Sequence, residues 1–155
     1  MVVPRASKIV YPTMLDFPAP ELRGYTMKST IAEKFQAMVK LGILNSRMKD
    51  FYDLWLLSRQ FDFDGRLLAA AIRKTFEKRR TDIPMQPTAL QHSFAKDPTK
   101  EGEWRAFIRK ARLHNAPASF PDAVSAIKLF LEPLIASLAA KRDFLKIWKA
   151  PGPWR

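Results

Sequence analysis

The sequence predicts a mainly α-helical protein: five or six helices in a bundle-like domain, with a short extended N-terminal segment. Three observations carry this reading. Apolar residues recur at spacings of three and four in several stretches, helix-capping residues stand ahead of them, and prolines gather mostly outside them. A chain of 155 residues with 47% apolar and 12% aromatic content is the right size and composition for one packed domain.

Residues 1–28 read as extended and turn-rich, because Ile9-Val10-Tyr11 is followed by Pro12, Pro18 and Pro20. Thr30-Ile-Ala-Glu33 has the capping-box pattern, and Ile31, Phe35, Met38 and Val39 follow at helical spacing, which predicts a helix over 30–41. A second helix is expected over 46–59. Asp62-Phe-Asp64-Gly65 reads as a loop and N-cap before a third, over 66–79. Residues 81–98 hold three prolines and form a connector with a short helical turn around 89–94. A fourth helix over 100–113 buries Trp104, Phe107, Ile108 and Ala111. Ser119 caps the last helix, where Val124, Ile127, Leu131, Leu134 and Leu138 make an apolar strip that Pro133 is expected to kink. The division is therefore an extended segment (1–28), a helical domain (29–140) and a basic, aromatic tail (141–155), either docked or frayed.

Charge gives the first functional hint. The chain carries a net +12, and residues 65–112 hold 12 basic side chains against five acidic ones. Such an excess is matched by nucleic acid or nucleotide phosphate, or else it is a solvated surface. With no cysteine, these residues form no disulfide and no thiolate metal site. No run approaches the ~20 apolar residues of a membrane span, and Met1-Val-Val-Pro4 lacks a secretory layout, so a cytoplasmic location is expected. His92 and His114 stand alone without metal-ligand spacing. The five glycines are scattered rather than gathered in a phosphate loop.

The informative stretch is Arg47-Met-Lys-Asp-Phe-Tyr-Asp-Leu-Trp55. On a helix, Met48, Phe51, Tyr52 and Trp55 fall on one side, and Leu54 and Leu57 on another, close to Asp50. A carboxylate beside apolar residues needs a cation, and Arg47 and Lys34 are the plausible partners. Lys49 and Asp53 have the spacing of an i, i+4 ion pair. By spacing alone these charges pin two helices together.

Together with Ile31-Ala-Glu-Lys-Phe-Gln-Ala-Met38, Tyr11-Pro-Thr-Met-Leu-Asp-Phe-Pro18 and Phe61-Asp-Phe-Asp-Gly65, the stretch resembles the downstream motifs of AbiEii/AbiGii-type nucleotidyltransferase toxins over most of residues 10–115. The resemblance implies nucleotide transfer from a nucleoside triphosphate to an acceptor such as tRNA, with Mg²⁺, by a toxin restrained by a cognate antitoxin protein. It places Lys34 on nucleotide phosphate and Asp50 at the catalytic centre, with Arg47, Lys49 and Asp53 supporting them. The family's first motif, a Gly-Ser turn followed by an Asp-x-Asp or Asp-x-Glu pair that holds metal, finds no counterpart. No Gly-Ser pair occurs, and Asp62-x-Asp64 reads as a helix cap instead. The expectation is a chain that begins after that motif and is inactive alone, with no cofactor bound to it.

Two further features bear on an RNA acceptor. Arg105, Arg109 and Arg112 form one basic stripe, and Arg73, Lys74, Lys78, Arg79 and Arg80 form another. Either could grip phosphates or simply face solvent. Trp148 and Trp154 lie among Lys146, Lys149 and Arg155, where docking onto the core is favoured over stacking on bases. The alternative to the enzyme reading is a basic, non-catalytic module that binds RNA or an antitoxin.

Overall fold

The computed structural model describes residues 20–42 and 47–155, with side chains from Met27 onward. The strand expected near Ile9 lies outside the described residues. Within them the protein is mainly helical: α1 (Pro20–Leu41), α2 (Met48–Gln60), α3 (Gly65–Lys78), α4 (His92–Ala95), α5 (Pro98–Ala111) and α6 (Phe120–Ala139), with a 3-10 turn at Thr88–Leu90. Two short strands, β1 (Phe63–Asp64) and β2 (Ile147–Trp148), pair antiparallel, with Phe63 opposite Trp148.

Residues 20–28 are helical rather than extended, so Thr30 lies inside α1 and caps nothing. Pro20 explains the early start: proline is tolerated at the first position of a helix, and the next proline is Pro84. The other helices fall within one or two residues of their expected ends.

The core is built around α6 and α2. Ile127, Phe130, Leu131, Leu134 and Ile135 of α6 are buried, and the helix runs on through Pro133. It packs against α2, α3, α4, α5 and the 3-10 turn. Phe51 of α2 meets Phe120 edge-on at 5.1 Å between centroids and stacks on Phe94 at 6.0 Å. Each such buried ring contributes about 1.5–3 kcal/mol of transfer free energy. Helix α2 is buried on both sides, as its two apolar faces require: Met48, Phe51, Tyr52, Leu54, Trp55 and Leu57 are all in the core.

The helix starts are chemically marked. The Asp64 carboxylate accepts from the amides of Arg66 (2.9 Å) and Leu67 (3.4 Å), and Ser119 Oγ accepts from Asp122 (3.2 Å). Glu101 adds a tertiary cap: Oε1 accepts from the Phe120 amide at 2.9 Å while Oε2 takes Arg105 Nε at 2.7 Å.

The tail is docked. Trp148 Nε1 donates to the Ser58 carbonyl at 2.7 Å, and Trp154 Nε1 to the Phe130 carbonyl at 2.8 Å. Asp62 accepts from the Ala150 amide at 2.9 Å. Gly65 must be glycine, because the Lys146 carbonyl and the Phe144 ring occupy the space a Cβ would need.

Candidate functional site

The site is set by where α1 and α2 place charge at the edge of the core. Ile31, Phe35 and Met38 point inward from α1, which leaves Lys34 on the flank of the buried stripe, its side chain 20% exposed. Asp50, in the first turn of α2, has a side chain only 5% exposed. Lys34 Nζ donates to Asp50 Oδ1 at 2.8 Å and stands 3.1 Å from Asp53 Oδ2. Arg47 Nε lies 2.9 Å from Asp50 Oδ2, and Lys49 Nζ 2.7 Å from Asp53 Oδ2. All five residues singled out from the motif therefore meet in one cluster of three cations and two carboxylates.

The cluster borders a cavity of about 350 Å³ lined by Thr30, Glu33, Lys34, Ala37, Arg47 and Arg79. Three cations against one carboxylate at its wall favour an anion. An ammonium carries three protons, so two carboxylates do not exhaust Lys34. A larger cavity, about 760 Å³ at the C-terminal ends of α3 and α6, brings Arg73, Lys141 and Arg142 together with Glu77, Asp82 and Asp143. Its charges balance, which makes it the poorer phosphate site.

A divalent cation does not fit the described residues. Both Asp50 oxygens and Oδ2 of Asp53 are already held by cations, and no group of three or more potential metal ligands occurs among the described residues. The Asp62-x-Asp64 pair is divided between holding the tail and capping α3. Phosphate, by contrast, suits the lysine and two arginines at the cavity wall.

The remaining basic residues are scattered. Arg73, Lys74 and Lys78 are exposed on α3, and Arg105 and Arg109 on α5. Arg105 is engaged by Glu101, and Arg112 sits in a left-handed turn beyond α5 rather than continuing the stripe. Trp148 and Trp154 are buried and are not a base-stacking platform. Sequence reasoning placed Arg79 in the basic stripe of α3 and not with Lys34, whereas the fold carries it to the cavity. The available signal was Gln36, a polar residue inside the otherwise apolar stripe of α1.

A basic helical domain with a lysine-bridged pair of aspartates at the wall of a cationic cavity is the class that fold and site define. Residues 1–126 match the family model described as Nucleotidyl transferase AbiEii toxin, Type IV TA system. The chain belongs to that nucleotidyltransferase toxin family. No curated protein and no solved structure matches it. Among the described residues, no helix is long and apolar enough to cross a membrane.

Proposed function

We propose that this chain is the helical, phosphate-holding part of a nucleotidyltransferase toxin, and that its metal-binding carboxylates come from outside the described residues. Lys34 meets the phosphates of a nucleoside triphosphate. Asp50 holds the ammonium in place from below, and Asp53 shares it. Arg47 and Lys49 neutralise the two carboxylates, so that the cluster keeps a net positive charge toward the cavity. The observation that carries this is the single Lys34 ammonium bridging Asp50 and Asp53 at the wall of a cavity that also presents Arg47 and Arg79. Lysine suits the role because it is a compact, flexible point charge on phosphate. The acceptor in this reading is an RNA such as tRNA, with exposed basic residues of α3 and α5 meeting its backbone. The partner is the antitoxin that a type IV toxin–antitoxin family implies.

Equilibrium titration of the 155-residue chain with labelled nucleoside triphosphates tests the reading. Lys34→Gln should weaken binding about 10- to 100-fold, the range for losing a charge-assisted hydrogen bond of ~1.5–3 kcal/mol. Equal binding by both proteins would sink it. A parallel transfer assay with total tRNA and Mg²⁺ should show no labelled RNA. Label transferred by the chain alone would mean that its own residues suffice. Absence of nucleotide binding, combined with RNA binding of steep salt dependence, would favour the non-catalytic module.

A further inference from the structure

We infer that Arg79, at the C-terminal end of α3, is a further phosphate-contacting residue of the cavity, and that buried Gln36 is the positioning residue that aims it. This rests on reading the cavity as a nucleotide phosphate site.

The geometry begins with the end of α3. Thr81 N donates to the Phe76 carbonyl at 2.9 Å, and Arg80 N to the Glu77 carbonyl at 3.1 Å, with Arg80 in the left-handed region at φ 51°. This pair of bonds folds the chain sharply back over the helix end. It brings Thr81 Oγ1 within 2.9 Å of Gln36 Nε2 on α1, and the same hydroxyl donates to the Arg79 carbonyl at 3.1 Å. The other end of the Gln36 amide, Oε1, accepts from Arg79 Nη1 at 3.3 Å. Side chain, amide, hydroxyl and backbone thus close a ring that starts and ends on Arg79.

Gln36 is only 2% exposed, so a polar amide has been placed in the core stripe of α1. A buried amide is costly unless both ends are paired, and both of its partnerships serve Arg79 or the turn that carries it. The guanidinium itself is only loosely held. Its contact with Gln36 is long, and its pairing with Glu33 spans 3.9 Å between side chains that are 47% and 57% exposed. A guanidinium has five N–H donors in a planar fork suited to two phosphate oxygens, and these contacts leave most of them available. A helix C-terminus repels anions, so a phosphate near this end of α3 needs a cation at that place.

The test uses the full 155-residue chain and titrates ATP, GTP, CTP, UTP and the four matching nucleosides. Four proteins are compared: wild type, Arg79→Gln, Gln36→Leu and Lys34→Gln. Arg79→Gln should weaken the best-bound triphosphate about 10-fold while its nucleoside is unaffected. Gln36→Leu should give a smaller loss of the same kind. A merely structural role would move triphosphate and nucleoside alike. If Arg79→Gln leaves triphosphate affinity within about twofold while Lys34→Gln loses it, the role of Arg79 is overturned and the cavity reading stands. If neither substitution matters, or wild type binds no triphosphate, both are overturned.

Discussion

Asp50 shows what a single carboxylate must do at the edge of a core. Its two oxygens are taken by Lys34 and Arg47, so truncating it removes an ion-pair partner from each and leaves Lys34, on the flank of the buried α1 stripe, to Asp53. Asp50→Ala is therefore expected to cost about 1–3 kcal/mol in urea unfolding, under the figure for a fully buried pair because Lys34 keeps Asp53 and some solvent contact. Combining Lys34→Met with Asp50→Leu should recover at least half of that loss, since an apolar pair needs no partner. A single-mutant cost below about 1 kcal/mol would mean that the cluster does not tie α1 to α2. Much of this cluster was legible in the sequence. Arg47 to Asp50 and Lys49 to Asp53 are helix spacings, and Lys34 was placed by its offset from Ile31. Arg79 was not legible as a site residue, because it meets Gln36 across 43 residues of chain and no local period encodes that.

At the level of elements, the starts of α3 and α6 were the most legible. Asp64 and Ser119 announce α3 and α6 because their side chains replace missing amide partners. The stop of α1 has the usual left-handed glycine, Gly42 at φ 54°, but those of α3, α5 and α6 lack one. Helices α3, α5 and α6 all end with the same pair of bonds, of which Thr81 to Phe76, Leu113 to Ile108 and Arg142 to Ser137 span more of the chain. The left-handed residues in these turns are Arg80, Arg112 and Lys141. Basic residues suit the negative end of a helix, but the backbone conformation disfavours any Cβ. Arg112→Gly should therefore raise stability by about 0.5–1 kcal/mol, read as a higher urea midpoint at unchanged slope. A lower midpoint would show that the Arg112 side chain contributes more than its backbone costs. The absence of glycine also explains why the expected ends of α3 and α5 ran one or two residues long. The early start of α1 was missed for a different reason: closely spaced prolines signal extended chain, yet the last of them can open a helix.

For the whole molecule, the family-matched region and the folded core do not coincide. The match ends at residue 126, inside α6, while Ile127, Phe130, Leu131, Leu134, Ile135, Trp148 and Trp154 are all buried beyond it. A chain truncated after Ala126 loses the strip that covers α2. It should lose cooperative unfolding and expose its apolar surface to a hydrophobic dye. Retention of a sharp transition would show that residues 20–126 fold alone. The bundle itself was legible from periodicity, whereas the docking of the tail depended on pairings such as Trp148 with Ser58, 90 residues apart. With the tail docked, all four tryptophans, Trp55, Trp104, Trp148 and Trp154, are buried. Trp55 reports on α2, Trp104 on α5, and the remaining pair on the strap that closes the molecule. Optically, the protein thus carries its own emitters. Variants that keep one indole at a time would let fluorescence wavelength distinguish loosening of the strap from loosening of α2 or α5, without an added label.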